Sequence, residues 1–305
     1  MPRRRPSLCC ASNTRRVGPG SAAKTPNLRT MSLTLSGLEG KIAVVTGAGR
    51  MRSIGRPIAV ELARAGCDVV LTGTGRAPDR YPDDEKAAGW RDIESVADEV
   101  RALGRQALPL ISDVSSQVEV TSLAERVYAE LGRCDFVINN AGASRGADRV
   151  PVTELDYDIW RKVIDVNLHG TFLMSQVFAQ RMIAAGNGGG IVNISSVAGR
   201  MMPHSTAAYA ASKAAIHALS CSMAKELGPN GIRVNVLCPG LIDTSRMDDM
   251  HAAGSFDRMV NTVIPLRRAG TGEDIAAMVA FLCSDQGSWI TGEVITVDGG
   301  QLAHP

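Results

Sequence analysis

From Lys41 onward, short runs of β-branched apolar residues alternate with longer stretches in which apolar positions recur every three or four residues. The short runs read as strands: 42–46 (IAVVT), 68–72 (DVVLT), 107–111 (ALPLI), 135–139 (DFVIN), 190–195 (GIVNIS), 232–237 (IRVNVL) and 293–297 (EVITV). Their near-continuous apolar character suits parallel strands buried on both faces. The longer stretches read as amphipathic helices. Over 93–104, Ile93, Val96, Val100 and Leu103 share one face. The stretch 118–132 behaves likewise and stops at Gly132, a residue suited to a left-handed helix end. Alternation repeated this often predicts an α/β fold: one doubly wound parallel sheet of about seven strands, right-handed crossovers, and helices on both faces.

Composition changes this picture only at the N-terminus. The first 30 residues hold seven Lys/Arg and no acid, leaving 26 basic against 31 acidic residues in the rest. The body is therefore mildly acidic and shows no nucleic-acid surface. Residues 1–36 are read as a disordered basic extension and 37–305 as the folded domain. The extension lacks the apolar stretch of a signal peptide. Its Arg-rich, acid-free composition also fits an organelle transit peptide, but an unfolded tail, or a start at Met31, is the preferred reading. No apolar run approaches the roughly 18 residues of a membrane span. The seven cysteines are scattered without a C-x-x-C pair or a His/Cys cluster. That argues against a metal site and suits a reducing, cytoplasmic compartment.

Candidate chemistry begins directly after the first strand, in "TGAGRMRSIGR" (46–56). A strand, a glycine-rich turn and a helix N-terminus together make an anion site: the backbone can approach a pyrophosphate, and the first helical N–H groups point at it. The spacing of Gly47, Gly49 and Gly55 is G-x-G-x5-G rather than the usual G-x-G-x-x-G. Arg50, Arg52, Ser53 and Ile54 complete the loop. An acidic residue at the tip of the second strand would take the adenosine ribose hydroxyls. That tip reads "VVLTGTGR", with Arg76 and no carboxylate. Cations without an acid favour the 2′-phosphate of NADP(H), with NAD(H) second.

A second signal lies downstream. In "YAASK", Tyr209 and Lys213 are four apart and share a helix face. A phenol titrates near 10, too high for proton transfer at neutral pH, and a neighbouring ammonium lowers that value. Ser196 ends the strand of "IVNISS", where its hydroxyl could hold a carbonyl oxygen for protonation.

With these residues the sequence resembles the short-chain dehydrogenase/reductase family, in its common Tyr-x-x-x-Lys branch. The resemblance spans roughly Leu38 to Leu302 and also rests on Asp113–Val114, "NNAG" (139–142), "VNLHG" (166–170), "PG" (239–240) and "TGEVITVDGG" (291–300). It implies a Rossmann-type domain that moves hydride between a nicotinamide cofactor and a ketone or secondary alcohol, with a 3-oxoacyl thioester among the candidates. Tyr209 would be the general acid or base, Ser196 would orient the substrate oxygen, and Lys213 would lower the phenol's pKa and bond the nicotinamide ribose. Asn167 would hold a water in a proton relay. Asp113 would meet the adenine, with Val114 beside it. Asn140, Ala141 and Gly142 would line the cofactor cleft. Pro239, Gly240, Ile242 and Thr244 would grip the carboxamide. Asn139 is expected to brace the sheet. The resemblance also implies a homotetramer, with a dimer second.

The sequence departs from the family pattern in two places. The loop ending "SIG" looks like the enoyl-reductase branch, but that branch separates Tyr and Lys by six residues, and here three intervene. Carbonyl rather than C=C chemistry is therefore expected. The link after Arg76, residues 77–90, is about a dozen residues longer than usual βα loops. A solvated surface loop is the preferred reading, and a flap over the adenosine end, slowing cofactor exchange, is the sharper one. After "PG", the apolar Met247, Met250, Phe256 and Met259 suit either an adaptable substrate lid or an amphipathic helix packed on the core. Two rival readings stay open: an NAD-linked dehydrogenase with a tightly held cofactor, and a non-catalytic dinucleotide sensor. The complete Asn167, Ser196, Tyr209 and Lys213 set argues against the sensor.

Overall fold

The computed structural model describes residues 34–303. The expectations for the basic extension concern residues that mostly lie outside that range. Leu35 and Ser36, assigned above to the extension, are tied to the body. Leu35 packs on the core, and Ser36 exchanges hydrogen bonds with Asp285 and Gln286.

Seven strands form one parallel sheet: β1 Ile42–Thr46, β2 Asp68–Gly73, β3 Ala107–Ile111, β4 Phe136–Asn139, β5 Gly189–Ile194, β6 Ile232–Pro239 and β7 Val294–Val297. Their order is β3-β2-β1-β4-β5-β6-β7, so the direction of winding reverses between β1 and β4. All seven fall within two residues of the expected spans. The helices are α1 Gly55–Arg64, α2 Asp83–Ala87, α3 Ile93–Ala102, α4 Gln117–Leu131, α5 Tyr157–Ile164, α6 Gly170–Ala185, α7 Ala198–Met201, α8 Ala207–Leu227, α9 Asp248–Ala252, α10 Phe256–Val263 and α11 Gly272–Cys283. A π-turn, Asp165–His169, joins α5 to α6.

Neighbouring strand residues point to opposite faces, and both faces are covered, which is why the strands lack polar alternation. Val45, Val69, Leu71 and Ile138 pack under Ile58 and Leu62 of α1, Val96 and Val100 of α3, and Ile275 and Val279 of α11. Val44, Val70, Val137 and Ile191 pack under Val120 and Leu123 of α4, Met174 and Phe178 of α6, and Met223 of α8. Each such fully buried side chain contributes roughly 1.5–3 kcal/mol relative to exposure. The edge strand β7 departs from the expectation of two-sided burial. Its four residues are only partly buried, because it has a neighbour on one side alone.

Local signals explain the helix ends. Gly132 takes φ +76° at the end of α4, as expected. Ser116 accepts the Glu119 N–H at the start of the same helix. At α11, Thr271 and Asp274 cap one another's backbone N–H groups.

Candidate active site

In an open α/β sheet the winding reversal leaves a crevice at the carboxyl ends of the central strands. Here that crevice is a cavity of 820 Å³, large enough for a dinucleotide and a small substrate. Of the candidate catalytic and cofactor-binding residues, only Gly55 and Asn167 do not line it. The glycine loop, Arg76, Asp113 and Val114 stand toward one end of the cavity wall, with Asn140, Ala141 and Gly142 between. Ser196, Tyr209, Lys213, Pro239, Gly240, Ile242 and Thr244 complete it.

The loop after β1 is held by its neighbours. Gly47 has φ +65°, and a Cβ there would come within 2.8 Å of the Ala141 Cα, so both conformation and space require glycine. Asn140 donates from Nδ2 to the carbonyls of Thr46 and Gly47, at 2.8 and 3.1 Å. Ser53 Oγ donates to the Arg50 carbonyl and accepts the Arg56 N–H, which shapes the entry to α1. Sequence reasoning missed Thr46, whose Oγ1 accepts the N–H groups of Asn140 and Ala141, both at 3.0 Å. A threonine closing the first strand, just ahead of the glycines, was the available signal.

At the opposite end, α8 presents Tyr209 and Lys213 one turn apart. Lys213 is buried and donates from Nζ to the Ile194 carbonyl at 2.8 Å, while standing 5.8 Å from the centre of the Tyr209 ring. Ser196 follows β5, and its Oγ accepts the Ala198 N–H at 3.1 Å. Two arginines that sequence reasoning missed also face the tyrosine. The guanidinium carbons of Arg149 and Arg246 lie 4.4 and 5.9 Å from the ring centre. Burial pushes the Tyr209 phenol up, but Lys213, Arg246, a hydrogen bond from Ser196, and Arg149 together hold it below its ordinary value. Burial likewise holds the Lys213 ammonium below its ordinary value, against the pull of Tyr209.

Asn167 sits in the π-turn, fully buried. Its Oδ1 accepts the Ala143 N–H at 2.8 Å and its Nδ2 donates to Ser212 Oγ at 2.9 Å. The side chain thereby joins the turn to α8 and to the chain after β4. Asn139 braces the sheet as expected: its Nδ2 donates to Ser175 Oγ and to Asn193 Oδ1, at 2.9 and 2.7 Å. Asp113 lies on the cavity wall with one carboxylate oxygen accepting from the Ser115 backbone and hydroxyl.

Two sequence expectations need correction. The first concerns the arginines, which were read as cations without carboxylate partners. Of Arg50, Arg52 and Arg76, that holds for Arg50 alone. Arg76 is paired with Glu85 and Asp92, at 2.9 and 3.0 Å, and Arg52 with Asp84 and Asp248, at 2.7 and 2.8 Å. All but Asp248 of these acids come from the segment between β2 and α3, far enough along the chain that the strand tip gave no hint of them.

The second correction concerns that segment, preferred above as a solvated loop. It folds against the glycine loop. Glu85, Tyr81 and Asp92 are 1%, 8% and 7% exposed, Trp90 Nε1 donates to the Gly49 carbonyl at 2.6 Å, and Glu85 Oε1 accepts the Met51 N–H at 2.9 Å. For the apolar residues after "PG", where a substrate lid and a packed amphipathic helix were both open, the structure shows packing. Phe256 is buried with Val260 and Ile264, and Met247 and Met250 pack against them. Of Met247, Met250, Phe256 and Met259, Met247 alone lines the cavity. Among the described residues, no cluster of His, Cys, Asp and Glu could hold a metal ion, and no helix is long and apolar enough to cross a membrane.

A family model described as enoyl-(acyl carrier protein) reductase matches residues 47–301. An uncharacterized oxidoreductase of Methylorubrum extorquens is 38% identical over 267 residues, 87% of this chain and 99% of that protein. The 3-oxoacyl-acyl-carrier-protein reductase of Aquifex aeolicus is 38% identical over 268 residues, 87% of this chain and 98% of that one. The 2-dehydro-3-deoxy-D-gluconate 5-dehydrogenase of Escherichia coli is 34% identical over 281 residues, 90% and 100% of the two chains. A crystal structure of a short-chain type dehydrogenase/reductase from Mycobacterium marinum matches with a TM-score of 0.77 at 30% identity, covering 88% of this chain and 97% of that one. Taken with the seven-stranded parallel sheet, this makes the chain an oxidoreductase of the short-chain dehydrogenase/reductase family.

Proposed function

We propose that this protein transfers hydride between a nicotinamide dinucleotide and a ketone or secondary alcohol, with Tyr209 as the proton donor or acceptor. The observation that carries this reading is the convergence of Ser196, Tyr209 and Lys213 on the same cavity as the glycine loop. The cavity suits a dinucleotide: the glycine loop lines it from Gly47 to Ile54 and leads directly into α1, and a helix N-terminus favours a pyrophosphate. When bound, the nicotinamide would supply or accept the hydride.

The chain's own residues handle the proton and the orientation. Lys213, fixed to the Ile194 carbonyl, stands beside the phenol, where its ammonium would favour the phenolate. Ser196 would hold the substrate oxygen within reach of the phenol. Asn167, whose side chain ties the π-turn to α8, would hold the water of a proton relay to Lys213. The three-residue interval between Tyr209 and Lys213 supports C=O over C=C chemistry. Its relatives' names make 3-oxoacyl thioesters and keto-sugar acids sensible first substrates, and the family resemblance makes a homotetramer, then a dimer, the first assemblies to look for. For the nucleotide, Arg50 supports NADP(H), whereas the pairing of Arg76 supports NAD(H).

Nicotinamide absorbance tests the reading directly, using both reduced cofactors against 3-oxoacyl thioesters, keto acids, a quinone and diketones. Turnover with at least one carbonyl is expected. A Tyr209→Phe variant should lose it by about 100-fold or more while still binding nucleotide. Loss of nucleotide binding with no turnover to lose would favour a dinucleotide sensor instead.

A further inference from the structure

The carboxylate missing from the tip of β2 is supplied from elsewhere in the chain. Asp92 accepts from Arg76 twice, through Oδ1 from Nη2 at 3.0 Å and through Oδ2 from the backbone N–H at 3.3 Å. Glu85 Oε2 accepts from Arg76 Nη1 at 2.9 Å, and its other oxygen is anchored on the Met51 N–H. The Arg76 guanidinium also lies 4.8 Å over the Tyr81 ring. Neither acid is loosely held. Glu85 is almost fully buried, and Asp92 has φ +52°, a backbone conformation that non-glycine residues rarely adopt and that the packing must impose. Asp92 immediately precedes α3, where an acid usually caps the helix, but its side chain caps nothing and turns to the strand tip. It lines the cavity beside Gly73, Thr74 and Arg76.

In this fold a carboxylate at the tip of the second strand takes the adenosine ribose hydroxyls, and a free arginine there takes a 2′-phosphate. Here the arginine is neutralised twice in a partly buried setting, and one of the neutralising carboxylates faces the cavity. A 2′-phosphate would have to displace two charge-assisted hydrogen bonds and lie beside two acids. A ribose hydroxyl would instead find an acceptor. We propose that Glu85 and Asp92 are specificity-determining residues that hold Arg76 away from a 2′-phosphate, so that the enzyme selects NAD(H) over NADP(H). This rests on the dinucleotide reading above. The segment 77–92 then acts as a selectivity element at the adenosine end.

Fluorescence titration of NADH and NADPH into the full-length protein, with no substrate present, tests this. Wild type should bind NADH at least tenfold more tightly. Glu85→Gln keeps an oxygen for the Met51 N–H but removes the charge, and it should move the ratio of the two dissociation constants at least tenfold toward NADPH. Asp92→Asn should weaken NADH and move the ratio the same way. It leaves the Glu85–Met51 bond intact, so it serves if Glu85→Gln does not fold. Tighter NADPH binding by wild type would overturn the proposal. So would an unchanged ratio in a folded variant. Binding of neither nucleotide would overturn the dinucleotide reading itself, a separate and recognisable result.

Discussion

The Asp92 carboxylate occupies the space that a side chain on Gly49 would need: a Cβ there would lie 1.7 Å from Asp92 Oδ1. The second glycine of the loop is thus explained by a residue 43 positions later. Gly49 is not in the left-handed region, so an alanine would act by displacement and not by backbone strain. Gly49→Ala should push Asp92 off Arg76 and weaken NADH binding at least tenfold, read by the same titration. Thermal unfolding should shift only slightly, because the collision lies at the surface of the cavity.

The charges around Tyr209 set a pH dependence for alcohol oxidation, where the phenolate must accept a proton. Burial opposes the phenolate, and Lys213, Arg246, Ser196 and Arg149 outweigh it, so the folded value lies below the usual value of about 10. kcat/KM for oxidation should rise with pH and level off with a midpoint below that of a free phenol. Arg246 lies on the cavity wall and its Nη1 donates to the Ala143 carbonyl at 2.8 Å. Arg246→Met removes one stabilising cation and should move the midpoint upward. A pH–rate profile of the two proteins checks both statements.

Asp274 illustrates a stability effect remote from the site. Hydrogen bonds from Arg268 draw its carboxyl down to about 2, against partial burial, and the Thr271 backbone N–H and hydroxyl help. A folded value below the unfolded one stabilises the protein above the unfolded value near 4, and the contribution is lost as pH falls toward 2. Asp274→Asn should therefore cost on the order of 1 kcal/mol at pH 7, in keeping with a helix cap and a solvent-screened ion pair. The difference from wild type should vanish near pH 2, which denaturant melts at several pH values would show.

Asn139 joins β4 to β5 and α6 through one amide, and Asn193 extends the chain of bonds to Ser220 Oγ at 2.8 Å. Replacing it by alanine strands the Asn193 oxygen in a dry interior. Asn139→Ala should destabilise the protein by about 1–3 kcal/mol without changing the nucleotide preference. Chemical denaturation alongside nucleotide titration separates the two effects.

What the sequence determined by itself was everything governed by local periodicity and by motifs read within a few residues. The strands appeared because both faces are covered and their apolar runs are unbroken. The end of α4 at Gly132 followed from left-handed backbone, and Tyr209 and Lys213 share a helix face because they are four apart. The candidate residues that line the cavity were also legible, since most stand at or just beyond the carboxyl end of a strand, or on a helix that follows.

Only the tertiary structure decided the charge state of the adenosine end. Arg76 looks unpaired along the chain, yet its partners Glu85 and Asp92 are brought in by a folded segment with no recognisable periodicity. Arg52 is likewise neutralised by Asp84 and by Asp248, 196 positions away. Arg149 and Arg246 come to Tyr209 from the chain after β4 and the chain after β6, which Arg145 and Asp249 join. Electrostatic pairing depends on distances of a few ångströms between groups remote in sequence, and no local pattern records them.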